Sequence, residues 1–267
     1  MTSCPASSHL KAETGRSFLS SWNAPPECLL VNGDEVHVWR AALNVEASRV
    51  KSSWHLLSTD ERVRAYRFRF PKDRDHFIVA HGLLRAIVAR YLDTEPDELR
   101  FLYGRYGKPA LAGESGRDSL RFNLSHSRAL ALYALSRGGD VGVDVEYIRP
   151  EMADDKIAEH FFSPREVAVL RSLPIDSQPE AFFNCWTRKE AYVKATGKGL
   201  TLRLDQFDVS LIPGTPAALL RTVGNRRETY RWSLQELLPG PGYVGALAVQ
   251  GHDWQLKCWQ WPEHSGL

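Results

Sequence analysis

Apolar residues recur with two different periods along the chain, and these periods predict a protein of mixed helices and strands. Between residues 73 and 92 they follow the three- and four-residue spacing of a helix, and a second long helix is predicted over residues 180–196. Alternating or short continuous apolar runs predict strands over residues 36–43, 99–103, 120–124, 129–135, 141–146, 207–211, 230–234, 243–249 and 254–259.

Two serines mark the starts of shorter helices. Ser58 followed by Glu61 is a capping-box pair, and the helix that begins there would carry Arg62 and Arg64. Ser163 followed by a proline also predicts a helix start, because proline suits the first helical position.

The order of these elements occurs twice. Each half has a short helix, a long helix, a glycine-lysine turn (residues 106–111 and 196–200) and then strands. The repeat indicates an internal duplication with a cleft between the halves, and the seam is expected near Gly138 and Gly139. The predicted units are a loose tail over residues 1–30, a first half over 31–138 and a second half over 139–267.

Composition limits the possible functions. The chain has 267 residues, of which 43% are hydrophobic and 25% charged, and its formal net charge is +2. It can bury one large core or two smaller ones, and it lacks the charge excess of a general nucleic-acid or membrane binder. No apolar run resembles a signal peptide or a membrane span. Four scattered cysteines argue against a zinc site or a disulfide framework and favour the cytoplasm: Cys4, Cys28, Cys185 and Cys258.

Two carboxylates share one side of the strand predicted at residues 141–146. Its three valines point to one face, so Asp144 and Glu146 point to the other, roughly 7 Å apart. One interpretation is a half-buried strand with a solvated acidic face. The other is a site for a hard cation, because Mg²⁺ binds a few carboxylates together with water and substrate phosphates.

The second long helix carries a third acid. Trp186, Glu190 and Lys194 follow one another at four-residue spacing, with Lys189 beside them. Glu190 and Lys194 could form an ordinary surface ion pair worth about 0.3 to 0.5 kcal/mol. Together with the acidic strand, however, they are what a metal-bridged diphosphate requires: acids for the metal and ammonium groups for the phosphate oxygens.

Five ordered motifs resemble those of the long, surfactin-type (Sfp-like) 4'-phosphopantetheinyl transferases. The likeness spans residues 43–211. The motifs are YGKP (residues 106–109), FNLSHS (122–127), GVDVE (142–146), the segment 183–194 with its WxxKEAxxK core, and GKGL (197–200).

The resemblance implies an enzyme that moves the 4'-phosphopantetheine arm of coenzyme A onto a serine of an acyl or peptidyl carrier protein. Asp144, Glu146 and Glu190 would bind Mg²⁺ with the coenzyme A diphosphate, and Mn²⁺ is expected to substitute. Glu190 would also take the serine proton, directly or through water. Lys194 would contact the diphosphate, with Lys189 as a further phosphate partner.

The resemblance also implies contacts to the rest of coenzyme A. Ser125 and His126 would face its phosphates, and Lys108 would lie in the turn that holds the adenine nucleotide. His126 could instead be a structural histidine and Lys108 an exposed turn residue. A hydrolase is disfavoured, because Ser125 lacks a G-x-S-x-G turn. The 3'-phosphate would be bound by cationic residues of the first helices: Arg62, Arg64, Arg74 and His76. A solvated helix face explains the presence of any one of these residues equally well.

The fold that the resemblance implies is α+β, with two similar halves related by a pseudo-twofold axis. Each half would be a small antiparallel sheet packed on a long helix, and because one chain holds both sides of the cleft, a monomer is expected. An alternative function is a non-catalytic module that binds coenzyme A or carrier proteins. Another magnesium enzyme of nucleotide diphosphates is disfavoured, because the chain lacks a Walker P-loop and a Rossmann glycine fingerprint.

Overall fold

The computed structural model describes residues 21–113 and 119–262 of the chain. Its helices are α1 (Ala47–Leu56), α2 (Thr59–Ala65), α3 (Pro71–Leu92), α4 (Asp155–Phe161), α5 (Pro164–Ser172), α6 (Gln178–Thr196) and α7 (Glu228–Arg231). Short 3-10 helices cover Pro150–Met152, Ile175–Ser177, Gly199–Thr201 and Leu204–Gln206. The strands are β1 (Glu35–Ala42), β2 (Phe101–Tyr103), β3 (Pro109–Leu111), β4 (Arg121–Ser127), β5 (Leu130–Ser136), β6 (Val141–Tyr147), β7 (Phe207–Val209), β8 (Leu219–Thr222), β9 (Trp232–Leu237), β10 (Tyr243–Gln250) and β11 (Gln255–Gln260).

Two main sheets lie between the two long helices. The first has the order β11-β1-β5-β4 and the second the order β6-β10-β9, while β2 pairs with β3 and β7 with β8. One core joins α3 to the first sheet, another joins α6 to the second, and a third lies between the sheets. The predicted α+β class is therefore confirmed.

Strand β1 shows how alternation builds these layers. Val36 and Val38 belong to the core between the sheets, whereas Trp39 and Ala41 belong to the core under α3. Successive side chains of a strand point to opposite faces, so one strand supplies both cores.

The last strand does not follow the predicted division into halves. β11 pairs in parallel with β1, and Val38 is opposite Cys258 in the register. The C-terminal strand thus completes the sheet of the first half, and the assignment of all residues from 139 to 267 to the second half is wrong for β11. The first sheet is also mixed and not purely antiparallel.

Part of the predicted loose tail is attached to the protein. Asn23 forms a parallel bridge with Trp259, and the Trp22 indole N–H donates to the Leu238 carbonyl over 2.8 Å. The prediction of a loose tail is wrong for this stretch, and residues 1–20 lie outside the described part. Among the described residues, no helix is both long and apolar enough to cross a bilayer.

The capping box predicted at Ser58 is present, and the helix start predicted at Ser163 is a second capping box. At α2 the Ser58 hydroxyl accepts from the Glu61 N–H, and the Glu61 carboxylate accepts from the Ser58 N–H. At α5 Ser163 and Glu166 make the same reciprocal pair. Each box satisfies backbone N–H groups that the first helical turn leaves unpaired.

The two capping glutamates also make equivalent ion pairs to the long helices. Glu61 Oε2 lies 2.7 Å from Arg85 Nε of α3, and Glu166 Oε2 lies 2.8 Å from Lys189 Nζ of α6. All four side chains are almost completely buried. The repeated element order is thus accompanied by a repeated buried charge pair, as an internal duplication would produce.

The buried carboxyl group of Glu61 makes the free energy of unfolding depend on pH. Burial alone would raise the pKa of Glu61, but the His81 hydrogen bond, the Arg85 charge and the Ser58 N–H together lower it to about 2. A depressed carboxyl pKa stabilises the folded state above the unfolded value of 4.5, and this contribution is lost as the pH falls towards 2. We expect a loss of about 3 kcal/mol, at about 1.4 kcal/mol per pKa unit.

Urea unfolding at pH 7 and pH 3 measures the part of this loss that occurs above pH 3, about 2 kcal/mol, because a carboxyl with a pKa of about 2 is still largely ionised at pH 3. The Glu61→Gln variant, which has no carboxyl to protonate, should lose less stability over that interval than the wild type. Equal losses in the two proteins would show that Glu61 does not carry the effect.

Candidate active site

Strand β6 and helix α6 approach each other closely at Gly142. A Cβ at this position would lie 2.2 Å from the Ala191 carbonyl oxygen and 2.3 Å from the Ala195 nitrogen, so only glycine fits. Asp144 and Glu146 share the Gly142 face of the strand by two-residue periodicity. The glycine of GVDVE therefore brings the two acids against the helix that carries Glu190 and Lys194.

Asp144 is buried and held by residues from both halves. Its Oδ1 accepts from the Ser125 hydroxyl over 2.8 Å and pairs with Lys194 Nζ over 2.6 Å, and Lys194 also donates to Ser125 over 2.9 Å. Asp144 Oδ2 is buried without a hydrogen-bond partner. The interpretation as a solvated acidic face is therefore wrong for Asp144. Lys194 forms its ion pair with Asp144, on the strand, and not with Glu190 on its own helix.

Glu146 and Glu190 have raised pKa values. For Glu146, burial raises the pKa first and the Asp144 charge adds to it, although the Ser127 hydrogen bond opposes both. For Glu190, burial is again the largest cause, followed by the charge of Asp144, with Lys194 opposing and Glu146 adding a smaller increase. The three carboxylates thus influence one another electrostatically, as groups that share a small volume do.

The described part of the chain contains no ready-made metal cluster. Within residues 21–113 and 119–262, no group of three histidine, cysteine, aspartate or glutamate side chains already has the arrangement of a metal site. A buried carboxylate oxygen without a partner is nevertheless costly, and Asp144 Oδ2 is such an atom. A divalent cation is a group that would satisfy it, so the residues present fit a hard-cation site.

A cavity of about 970 Å³ lies between the halves, next to this cluster. The predicted cleft is therefore present. The first half contributes Arg64, His81, Tyr103, Tyr106, Lys108 and Asn123 among others, and the second half contributes Phe161, Trp186, Glu190, Lys194, Leu202 and Arg203 among others.

The side chain of Lys108 does not project freely into the cavity. Its Nζ donates to the Val141 carbonyl over 3.1 Å and to the Ala195 carbonyl over 2.9 Å. Burial lowers the pKa of Lys108 to about 8. The lysine thus connects the turn of the first half to β6 and α6, and the alternative of an exposed turn residue is wrong.

His126 lies on β4 and His76 on α3, and neither is among the residues that line the cavity. His126 is exposed on β4, and partial loss of solvent together with the charges of His81 and Lys194 lowers its pKa. His76 is buried, with Nε2 2.8 Å from Asn44 Oδ1. His126 is available to a ligand, whereas one ring nitrogen of His76 already has a partner.

The three candidate arginines occupy different surroundings. Arg62 donates to the carbonyls of Trp54 and His55 at the end of α1, over 3.3 and 3.0 Å. Arg74 is half-buried beside its sequence neighbour Asp75. Arg64 lies over the rings of Phe77 and Tyr103 and lines the cavity. Of the three, Arg64 is therefore the one that the structure brings to the cleft.

Lys189 is buried in the core of the second half. Its Nζ donates to the carbonyls of Leu204 and Phe207 over 2.7 and 2.5 Å and pairs with Glu166 over 2.8 Å. An ammonium group has three donors, and all three are used here. The prediction of Lys189 as a phosphate partner is therefore wrong.

Two further residues of FNLSHS contact the acidic strand, and the sequence analysis missed them. Asn123 Oδ1 accepts from the Val143 N–H over 2.8 Å, and the Ser127 hydroxyl donates to Glu146 Oε2 over 2.7 Å. Both residues share a face of β4 with Ser125, because they are two positions away from it. That two-residue spacing is the signal that could have identified them.

Family comparisons match both halves of the chain. Residues 44–137 match the family described as "4'-phosphopantetheinyl transferase, N-terminal", and residues 140–248 match the "4'-phosphopantetheinyl transferase superfamily".

Two curated relatives agree with these family matches. The 4'-phosphopantetheinyl transferase HetI of Nostoc sp. (strain PCC 7120 / SAG 25.82 / UTEX 2576) is 41% identical over 90% of this chain and 98% of the relative. The transferase Sfp of Bacillus subtilis (strain 168) is 31% identical over 58% of this chain and 66% of the relative. The crystal structure of Thermotoga maritima holo-[acyl-carrier-protein] synthase matches with a TM-score of 0.32 and 20% identity, over 42% of this chain and 62% of that chain.

The chain belongs to the 4'-phosphopantetheinyl transferase family, since its identity to HetI extends over nearly the whole of both chains. It is thus an enzyme of the Sfp type, and the predicted resemblance is confirmed. The alternative of a non-catalytic binding module is not favoured.

Proposed function

We propose that this enzyme transfers the 4'-phosphopantetheine arm of coenzyme A to the serine of an acyl or peptidyl carrier protein, releasing 3',5'-ADP. The observation that carries the proposal is the meeting of Asp144, Glu190 and Lys194 beside a cavity that both halves line. Glu190 and Lys194 line the cavity, and Lys194 also pairs with the buried Asp144 behind it.

The metal in this proposal is Mg²⁺, held by Asp144, Glu146 and Glu190, with Mn²⁺ as a substitute. The unpartnered Asp144 Oδ2 supports this assignment. When bound, the ion supplies positive charge that stabilises the diphosphate as negative charge develops on the leaving group.

Transfer is an in-line displacement at the β-phosphorus of coenzyme A. The carrier serine oxygen forms the new bond to phosphorus, the bond from phosphorus to the bridging oxygen breaks, and its electron pair leaves with 3',5'-ADP. Glu190 takes the serine proton, directly or through water. Its raised pKa suits this role, because a general base works best when its pKa lies near the working pH.

Lys194 and Arg64 supply positive charge at two places in the cavity. Lys194 holds Asp144 through a 2.6 Å ion pair, and in the complex it would also contact the diphosphate. Arg64 is suited to the 3'-phosphate, because it lines the cavity while its guanidinium rests on Tyr103. The exposed His126 would contact the phosphates, and the edge-to-face pair of Phe161 and Trp186 would form an aromatic wall for the apolar part of the arm.

The test is the mass of a purified apo-carrier domain after incubation with the enzyme, coenzyme A and Mg²⁺. We expect a gain of one phosphopantetheine group, loss of the reaction with excess EDTA, recovery with Mn²⁺, and no gain on a carrier whose serine is replaced by alanine. Coenzyme A binding without any mass gain on a panel of carriers would support the binding module instead.

We also propose a cytoplasmic monomer. Both sides of the cavity come from one chain, so a second subunit is not required to complete it. The compartment is proposed from the scattered cysteines, which do not form the pattern of a disulfide framework. Light scattering coupled to size exclusion should give the mass of one chain, and a dimer mass at micromolar concentration would contradict this part of the proposal.

A further inference from the structure

Strand β4 contacts β6 through side chains. The two strands belong to different sheets, and β4 pairs with β5 while β6 pairs with β10. The connection is made by alternate residues of β4, which reach the Val143 N–H, Asp144 Oδ1 and Glu146 Oε2 in turn: Asn123, Ser125 and Ser127. The first half therefore determines how the acidic side chains of the second half are held.

The Ser127 hydroxyl has a defined direction. Its oxygen accepts from the Tyr147 N–H over 3.2 Å, so its single proton is free for Glu146 Oε2, 2.7 Å away. Ser127 is 8% exposed, which leaves little room for water to replace this contact. The donor, the acceptor and the orientation of the hydroxyl are thus all set by the fold.

The Glu146 side chain needs this hydrogen bond because neighbouring charges favour a different orientation. Its side chain is 24% exposed, it is repelled by Asp144, and Arg149 lies 3.8 Å from the same Oε2 atom at the open side. A flexible glutamate in this position could turn away from Asp144 towards the arginine. The contacts of both Ser127 and Arg149 are to Oε2, so Oε1 is left available for another ligand.

We propose that Ser127 is a positioning residue that holds Glu146 beside Asp144 and directs its Oε1 towards the divalent cation. The inference rests on the proposed function only for the identity of the cation site. It assigns Ser127 no contact with the substrate, the metal or the reacting atoms. Hydrogen-bonding partners behind metal ligands typically change metal affinity 10- to 100-fold when they are removed.

The test uses Mn²⁺ alone as the probe, titrated into the full-length chain and followed by electron paramagnetic resonance. Ser127→Ala should weaken Mn²⁺ binding about tenfold or more. Ser127→Thr keeps the hydroxyl and should restore most of the affinity. If Ser127→Ala is too unstable to titrate, Ser127→Cys keeps the volume but donates only weakly, and it should show the same loss.

Ser136→Ala is the matched control. Ser136 is a buried serine on the neighbouring strand β5, and its hydroxyl accepts from the Gly138 N–H over 3.1 Å, away from the acids. Its loss should lower the melting temperature without changing the Mn²⁺ affinity. Wild-type Mn²⁺ affinity in a folded Ser127→Ala variant, or an equal loss in Ser136→Ala, would overturn the inference.

Turnover separates this inference from the proposed function. In Ser127→Ala the Mg²⁺ concentration that gives half-maximal transfer should increase by at least the same factor as the Mn²⁺ dissociation constant. The kcat at saturating Mg²⁺ should stay within about threefold of the wild-type value. If the wild type modifies no carrier but its Mn²⁺ affinity still depends on Ser127, the proposed function fails and the positioning role stands. If the wild type modifies carriers and Ser127→Ala binds Mn²⁺ normally, only the positioning role fails.

Discussion

Replacing Glu190 with glutamine should reduce kcat for transfer by about a thousandfold while the protein remains folded. Glutamine keeps the size of the side chain but cannot take the serine proton, and general-base catalysis alone contributes about 10²- to 10⁴-fold. It also removes one of the charges that would hold the cation. Because burial and Asp144 disfavour the ionised carboxylate, removing its charge should not lower stability.

The measurement is the initial rate of carrier mass gain at saturating coenzyme A and Mg²⁺, with the melting temperature recorded in parallel. Glu180→Gln is the matched control, because Glu180 lies in the first turn of the same helix and is exposed. It should retain wild-type activity. Full activity of a folded Glu190→Gln variant would refute the role of this residue as base and as cation ligand.

Asp144→Ala should cause a loss of similar size for a different reason. The substitution removes the oxygen that Ser125 and Lys194 share and also the unpartnered Oδ2. Raising the Mg²⁺ concentration should not restore the rate, since the ligand itself is missing. This distinguishes Asp144→Ala from Ser127→Ala, for which added Mg²⁺ should restore the rate.

Local patterns predicted the elements that position the site. The apolar spacing of residues 73–92 and 180–196 gave α3 and α6 closely, because each helix buries a broad face against its own sheet. The alternation around Asp144 also predicted that Asp144 and Glu146 share a face. These features depend on residues a few positions apart, so periodicity is sufficient to find them.

The features that the sequence did not predict depend on distant contacts. β11 pairs with β1 across more than two hundred residues, and nothing in the alternation of either strand specifies its neighbour. Arg62 and Arg64 lie on the same short helix and point about 200° apart, and nothing in the local pattern says which of them faces the cleft. The difference between them comes from α1, because the carbonyls at its end accept hydrogen bonds from Arg62. Arg64 lines the cavity instead.

The role of Lys189 also depends on a contact that is distant in the sequence, although the residue lies within a single motif. Lys189 and Glu190 are adjacent in the sequence, but adjacent residues of a helix point about 100° apart. Glu190 therefore reaches the cavity while Lys189 turns into the core, where Glu166 of a separate helix receives it. The motif predicted a functional role for Lys189, but its buried ion pair with the distant Glu166 gives it a structural role.

Replacing Lys189 with methionine should destabilise the protein by about 3 to 5 kcal/mol, because breaking one side of a buried ion pair leaves the other charge uncompensated. Methionine retains the volume of the side chain, so the effect reports charge and hydrogen bonding more than a cavity. Glu166 would keep its contacts to the Ser163 and Val209 N–H groups but lose its counter-ion, and two backbone carbonyls would lose their donor.

Urea unfolding measures this loss, and the double variant Lys189→Met with Glu166→Gln is the matched control. Removing both charges should recover part of the lost stability, because no charge is left unpaired, although the single amide oxygen of glutamine can accept from only one of the Ser163 and Val209 N–H groups. In the fraction that remains folded, the KM for coenzyme A should stay within about twofold of wild type, since Lys189 does not face the cavity. A tenfold rise in that KM with unchanged stability would instead return Lys189 to the phosphate-binding role.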